Sequence, residues 1–182
     1  MLTRRASGLL IGAATALAVA AGCSKNSTPP ASLSQPPAGA AATPAVPPSV
    51  QAAMYIAPDL PPLPPGIVNA VRPVAITKAA YEFAARHPEV MNYIPCFCGC
   101  ERGGHKGNHD CFVAGRNASG AVTSWEGHGI GCEVCIDVAT QTRQMYNTGV
   151  SLPEIRARIE QMYAGAPGHT PTPDPPRGGD RH

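Results

Sequence analysis

The most regular pattern of apolar positions lies in the second half of the chain. From Cys132 to Asn147, Cys135, Val138, Ala139, Thr142, Met145 and Tyr146 recur at steps of three and four, which marks one helix face. Gly149 then stands just past the helix end, where a left-handed backbone is needed. Ser151-Leu152-Pro153-Glu154 has the form of a capping box with proline in the first turn. Leu152, Ile155, Ile159, Met162 and Tyr163 carry the spacing on to Gly165, with Met145 and Met162 read as core. The pattern predicts two helices joined as a hairpin. A third is expected from Lys78 to about Arg86, capped by Thr77 and stopped at Pro88. Cys96 to Gly120 has little periodicity and reads as loop, with a turn at Asn117–Gly120 and a short strand from Ala121 to Trp125. The fold class is mainly α: a small helical Cys-rich domain over 67–165. It has three to four helices, a Gly/Cys-rich loop and room for one short hairpin. A domain of this size buries one modest core, which cross-links or a metal would strengthen.

The rest of the chain has a different composition. Residues 24–66 hold 12 of the 21 prolines, among Ala, Ser, Thr and Gly. Such a segment buries too little apolar surface to offset its ordering entropy and reads as a disordered, semi-rigid tether. Residues 166–182 read as a disordered tail for the same reason. At the front, Arg4 and Arg5 precede an apolar run from Leu9 to Ala21. That run is too short to span a membrane and fits an export signal over 1–22. It ends in Val19-Ala20-Ala21-Gly22-Cys23, which resembles a bacterial lipobox with Ala20 where leucine is usual. The expectation is a lipidated Cys23 at the head of the 23–66 linker. It anchors the domain to a membrane on the extracytoplasmic side of the cell envelope. The chain has 14 basic and 12 acidic residues, and the leader takes Arg4 and Arg5 away, so the mature protein is formally neutral. No basic stripe remains for nucleic acid.

Compartment changes how the cysteines read. Cys96, Cys98, Cys100, Cys111, Cys132 and Cys135 fall within about 40 residues. Cys132-Glu-Val-Cys135 at a helix start puts two sulfurs one turn apart, where free N–H groups and the helix dipole favour thiolate. That geometry serves a metal or a redox pair equally. Cys96-x-Cys98-x-Cys100 is a poor disulfide framework, because close neighbours rarely pair. It suits a soft ion, since alternate residues of an extended segment point the same way. His105 and His128 are candidate auxiliary ligands, with His109 weaker and His87, His169 and His182 read as solvated or capping. Mixed sulfur and nitrogen sets of four suit Zn(II), and smaller sulfur sets suit Cu(I).

Pro95-Cys96-Phe97-Cys98-Gly99-Cys100 resembles the PCYCGC motif of a bacterial family of small lipoproteins named for it. The likeness runs from about Tyr81 through Gly104–Phe112 and the His128…Cys132-x-x-Cys135 segment into the last helix. Phe97 replaces the family's tyrosine and leaves every thiol in place. The resemblance implies an envelope lipoprotein with a Cys-rich domain, and brings no established activity.

The residues favour binding of a soft metal, Cu(I) before Zn(II), for storage, sensing or hand-off to a metalloprotein or metal-transport partner. Two readings stay open: three disulfides stabilising an interaction module without metal, and thiol–disulfide exchange at Cys132 and Cys135. The chain has no Gly-x-Ser-x-Gly, no His-Glu-x-x-His and no phosphate-cradling loop, so an enzyme is not expected. Distances separate the classes. A metal site needs sulfurs and nitrogens converging on one point, whereas disulfides need discrete sulfur pairs about 2.05 Å apart.

Overall fold

The computed structural model describes residues 46–176. The expected export signal and the lipidation at Cys23 lie outside the described residues. In chain order the elements are α1 (Pro48–Met54), α2 (Val74–Arg86), α3 (Pro88–Met91), β1 (Val113–Arg116), β2 (Val122–Trp125), α4 (His128–Gly131), α5 (Glu133–Asn147) and α6 (Leu152–Met162). The mainly helical class stands. The helix count exceeds three to four because α1, α3 and α4 are only 7, 4 and 4 residues long. The longer α2, α5 and α6 carry the core.

Helix α2 begins at Val74, ahead of the expected Lys78, and Thr77 is buried inside it rather than capping it. Pro73 takes the cap position with extended backbone and has no N–H to satisfy. The Thr77 hydroxyl donates back to the carbonyls of Arg72 and Pro73, 3.3 Å from each. Arg72 fixes this start to α5: its guanidinium donates to Asp137 at 2.9 and 2.7 Å and pairs with Glu133 at 2.9 Å.

Helix α5 buries Cys135, Val138, Ala139 and Thr142 of the expected stripe and adds Ile136, while Met145 and Tyr146 are only half-buried, and Gly149 follows it at φ 79°. Helix α6 buries Leu152, Ile155 and Ile159, but Met162 is 52 % exposed and lies outside the core. The capping box does not form. Pro153 lacks one N–H that Ser151 would cap, and Glu154 is drawn to Arg158 at 2.5 Å. The hairpin does form, and β1 adds a strand inside the region expected as loop. Val113 pairs with Trp125 and Arg116 with Val122. Asn117 Oδ1 closes the turn by accepting from the Ser119 and Ala121 amides at 3.1 and 3.0 Å.

The tether ends earlier than residue 66. Leu63 and Ile67 are fully buried, the Leu63 amide donates to the Met54 carbonyl at 2.8 Å, and Arg86 holds Asp59 through two bonds of 3.0 and 3.1 Å. Trp125 Nε1 donates to the Pro61 carbonyl at 3.0 Å, while its ring meets Tyr81 edge-on at 5.6 Å. The expected disordered tail is likewise ordered through 176. Thr170 and Thr172 are buried, and Arg156 donates to the carbonyls of Thr172 and Pro173. Prolines give no amide but keep their carbonyls as acceptors. Their fixed φ also lowers the entropy lost on docking, so a proline-rich segment can pack where a donor is waiting.

Leu63→Ala is expected to lower unfolding free energy by about 2–5 kcal/mol, and exposed Val68→Ala by no more than about 0.5 kcal/mol, in chemical denaturation of the reduced chain. Equal, small effects would return residues up to 66 to the tether.

Candidate metal centre

Three stretches of chain build the site. The first is Pro95–Cys100, which leaves α3 behind buried Ile94. Cys96 is pinned on its backbone: its amide donates to Thr170 Oγ1 at 2.5 Å, and its carbonyl accepts from the Thr170 amide at 2.9 Å. Phe97 points the other way and stacks on Tyr163 at 5.0 Å. That alternation leaves the Cys96 and Cys98 sulfurs on one side, 3.4 Å apart. Gly99, at φ 81°, then turns the chain so that Cys100 comes back toward them. Gly168 lies so close over this bend that a Cβ there would strike the Gly99 backbone.

The second stretch brings His105, Asn108 and Cys111. The Asn108 amide donates to the Ile94 carbonyl at 2.8 Å, tying this loop to the first. The third brings His128, Cys132 and Cys135. His128 opens α4 with its amide donating to Glu126 Oε1 at 3.1 Å. Cys132 is the extended cap residue of α5, and Cys135 sits in its first turn.

All eight expected residues meet. Cys135 Sγ lies 3.2 Å from Cys111, 3.4 Å from Cys96 and 3.6 Å from Cys98. Cys111 Sγ lies 3.7 Å from Cys96 and 3.8 Å from Cys100. His128 Nε2 is 3.4 Å from Cys98, and His105 Nδ1 is 3.5 Å from Cys111. The donor atoms of Cys98, His128, Cys132 and Cys135 lie within 4.8 Å of one another, and so do those of Cys96, Cys100 and Cys111. All six thiols are free. Tetrahedral Zn–S bonds of about 2.3 Å put sulfurs about 3.8 Å apart, which the longer of these spacings match and the shorter ones fall below. Both groups could hold a metal ion.

The other described histidines stay away from the sulfurs. His87 pairs with Glu89, His109 sits between Asp110 and Arg116, and His169 packs on Phe97. Two contributors were not foreseen. Buried Asn108 donates through Nδ2 to the Cys135 carbonyl at 3.3 Å and toward Cys96 Sγ at 3.8 Å. It sits inside the motif-bearing stretch 104–112, so attention to amides beside thiols would have found it. Thr170 carried no signal of its own.

Residues 65–175 match the model of a family described as a protein of unknown function with PCYCGC motif. The chain belongs to that family. The match starts before residue 67 and runs past Thr170, so it takes in the segment that clamps Cys96. No curated protein and no solved structure matches the chain.

Electrostatics divide the thiols of this PCYCGC protein. Hydrogen bonds from Cys111 and then Cys135 hold Cys96 far below the usual thiol range. Cys98 is lowered to about 5, first by Cys111 and further by His128. Cys132 is lowered to about 7, first by Cys135. Burial pushes Cys100 up, and hydrogen bonding to Cys135 pushes Cys111 up. Burial opposes charge on His128, but its bonds to Cys98 and Cys132 outweigh that and raise it. Among the described residues no lysine or arginine hydrogen-bonds to a sulfur. The thiolates are therefore stabilised mainly by protons shared from neighbouring thiols, with His128 beside Cys98 and Cys132. A metal cation can replace those protons.

Thiolate is the reactive form and exists above the pKa. Iodoacetamide is expected to label half-buried Cys98 and Cys132 first. The Cys132 rate should rise with pH about a midpoint near 7, and Cys98 should already be past its midpoint of about 5. Fully buried Cys96, Cys111 and Cys135 should stay unlabelled until the chain unfolds. Peptide-level mass analysis reads this out, and uniform labelling of all six would contradict the site.

Proposed function

We propose that this chain binds a soft metal ion through its cysteine and histidine cluster, Cu(I) first and Zn(II) second, for storage, sensing or transfer. The observation that carries the reading is convergence: six free sulfurs and two imidazole nitrogens meet in one cluster, part buried and part at its rim, with neighbouring sulfurs 3.2–3.8 Å apart. Thiolates and imidazole suit Cu(I) and Zn(II) and do not suit hard cations. Copper stands first because it outranks zinc at such donor sets. In this reading Cys96, Cys98, Cys100, Cys132 and Cys135 are the main ligands, and Cys111, His105 and His128 assist. An envelope location and a lipid anchor at Cys23 belong to the same proposal and rest on the leader sequence. The ion would pass to a metalloprotein or transporter at the rim formed by half-buried Cys98, His128 and Cys132.

A second reading has one observation in its favour. The Cys132 thiol, at about 7 and at a helix start beside Cys135, has the setting of an exchange-active pair.

Native and denaturing mass with thiol counting, on mature protein taken from an envelope-like compartment, is expected to show bound metal and at least four free thiols. Loss of six hydrogens, with no metal, would instead mean three disulfides. Reversible loss of two hydrogens at Cys132 and Cys135, with no metal, would favour exchange chemistry. Metal loading should also fall with acidification. Protons take back Cys132 below about 7 and Cys98 below about 5, and His128, raised above its ordinary value, charges earlier than a free imidazole. Loading independent of pH through that window would count against these ligands.

A further inference from the structure

The donors outnumber what one ion can use. Six sulfurs and two imidazole nitrogens converge, whereas a structural tetrahedral ion takes four ligands. They divide by position. Cys98, His128 and Cys132 are half-buried and share an outer set with Cys135. Cys96, Cys100 and Cys111 form an inner set, at 0 %, 7 % and 0 % exposure, with His105 Nδ1 3.5 Å from Cys111. A single ion held by the outer set would leave three thiols of the inner set clustered in the core with no ligand role.

The two sets touch through particular sulfurs. Cys135, of the outer set, lies 3.4 Å from Cys96 and 3.2 Å from Cys111. Cys96, of the inner set, lies 3.4 Å from Cys98. Cys96 thus neighbours two sulfurs of the outer set, Cys98 and Cys135, and Cys135 neighbours two of the inner set, Cys96 and Cys111, whereas Cys98 and Cys111 each reach only one across the divide. A thiolate sulfur has more than one lone pair and can bind two ions. The side chain between them is also suited to this: Asn108 reaches toward Cys96 Sγ and holds the Cys135 carbonyl with the same Nδ2. Its Oδ1 is buried without a protein partner, a further neutral donor atom in the same core.

We propose that the cluster is one polynuclear centre of at least two soft metal ions, joined through the shared sulfurs of Cys96 and Cys135. It rests on the soft-metal reading above and adds the number and connection of the ions. Each thiol that takes up a metal releases its proton to solvent and forms a sulfur–metal bond, with no change of oxidation state. A second cation also offsets negative charge that one ion would leave among six converging sulfurs, four of them buried.

The reduced full-length chain would be titrated anaerobically with Cu(I) and Zn(II) and weighed by native mass spectrometry, then loaded with 113Cd(II) for NMR. The expected results are at least two ions per chain at saturation, and 113Cd resonances split by coupling through a shared sulfur. Cys135→Ser should weaken every ion by more than the roughly 10–100-fold that loss of a ligand's hydrogen-bond partner costs, whereas Cys132→Ser should weaken one. Cadmium coupling needs no variant, so the test survives if Cys135→Ser fails to fold. Saturation at one ion overturns the proposal and leaves soft-metal binding standing. So do uncoupled cadmium resonances together with Cys135→Ser releasing a single ion. Binding of no ion at all overturns both.

Discussion

The contact on which the rest depends is the one that Cys135 makes with three other sulfurs, 3.2–3.6 Å away, at the start of the central helix. Apolar packing alone would not choose this arrangement. A buried thiol behaves as a small hydrophobe, and six could be scattered through a core. Here the start of α5 delivers two sulfurs, Cys132 and Cys135, the 95–100 loop three and the 105–111 loop one, all to the same place. The fold is organised to make that meeting possible. Arg72 locks α2 to α5 through Asp137 and Glu133, and α6 closes the other side of α5 with Leu152, Ile155 and Ile159. The Cys loops rest on the end of that frame.

What surrounds the sulfurs shapes their chemistry as much as their spacing does. Thiolate is favoured at Cys96, Cys98 and Cys132 and opposed at Cys100 and Cys111, so protons are shared unequally through one network. A network of thiols short of positive charge is a poor end state for a buried core and a good receiver for a cation. The His105 and His128 rings, 5.2 Å apart, mark the polar rim of that network.

Local chemistry was legible where the cause is local. The stripe of α5, its end at Gly149 and the turn at Asn117 follow from residues within a few positions of one another. The eight donor residues were legible as types, because sulfur and imidazole in that density have few other uses. Their division into an outer and an inner set was not, since it depends on which loops cross. Ser151 shows the limit of a motif: the capping-box letters are present, but the Ser151 side chain makes no cap bond and Glu154 pairs with Arg158 instead. The proline-rich flanks show the limit of composition. Pro61 and Thr170 take their places because Trp125 and Cys96, 64 and 74 positions away, offer partners, and no window of sequence contains both ends.

The clamp at Thr170 also has a meaning in time. A chain grows from its N-terminus, and Thr170, which fixes the backbone of Cys96, is made after all six cysteines of the site. Long-range closure of this kind is slow and comes late in folding. Every sulfur is therefore synthesised before the site that arranges them can exist. Until then the thiols wait as six unassembled groups, and their geometry is set only when the segment around Thr170 docks on Cys96.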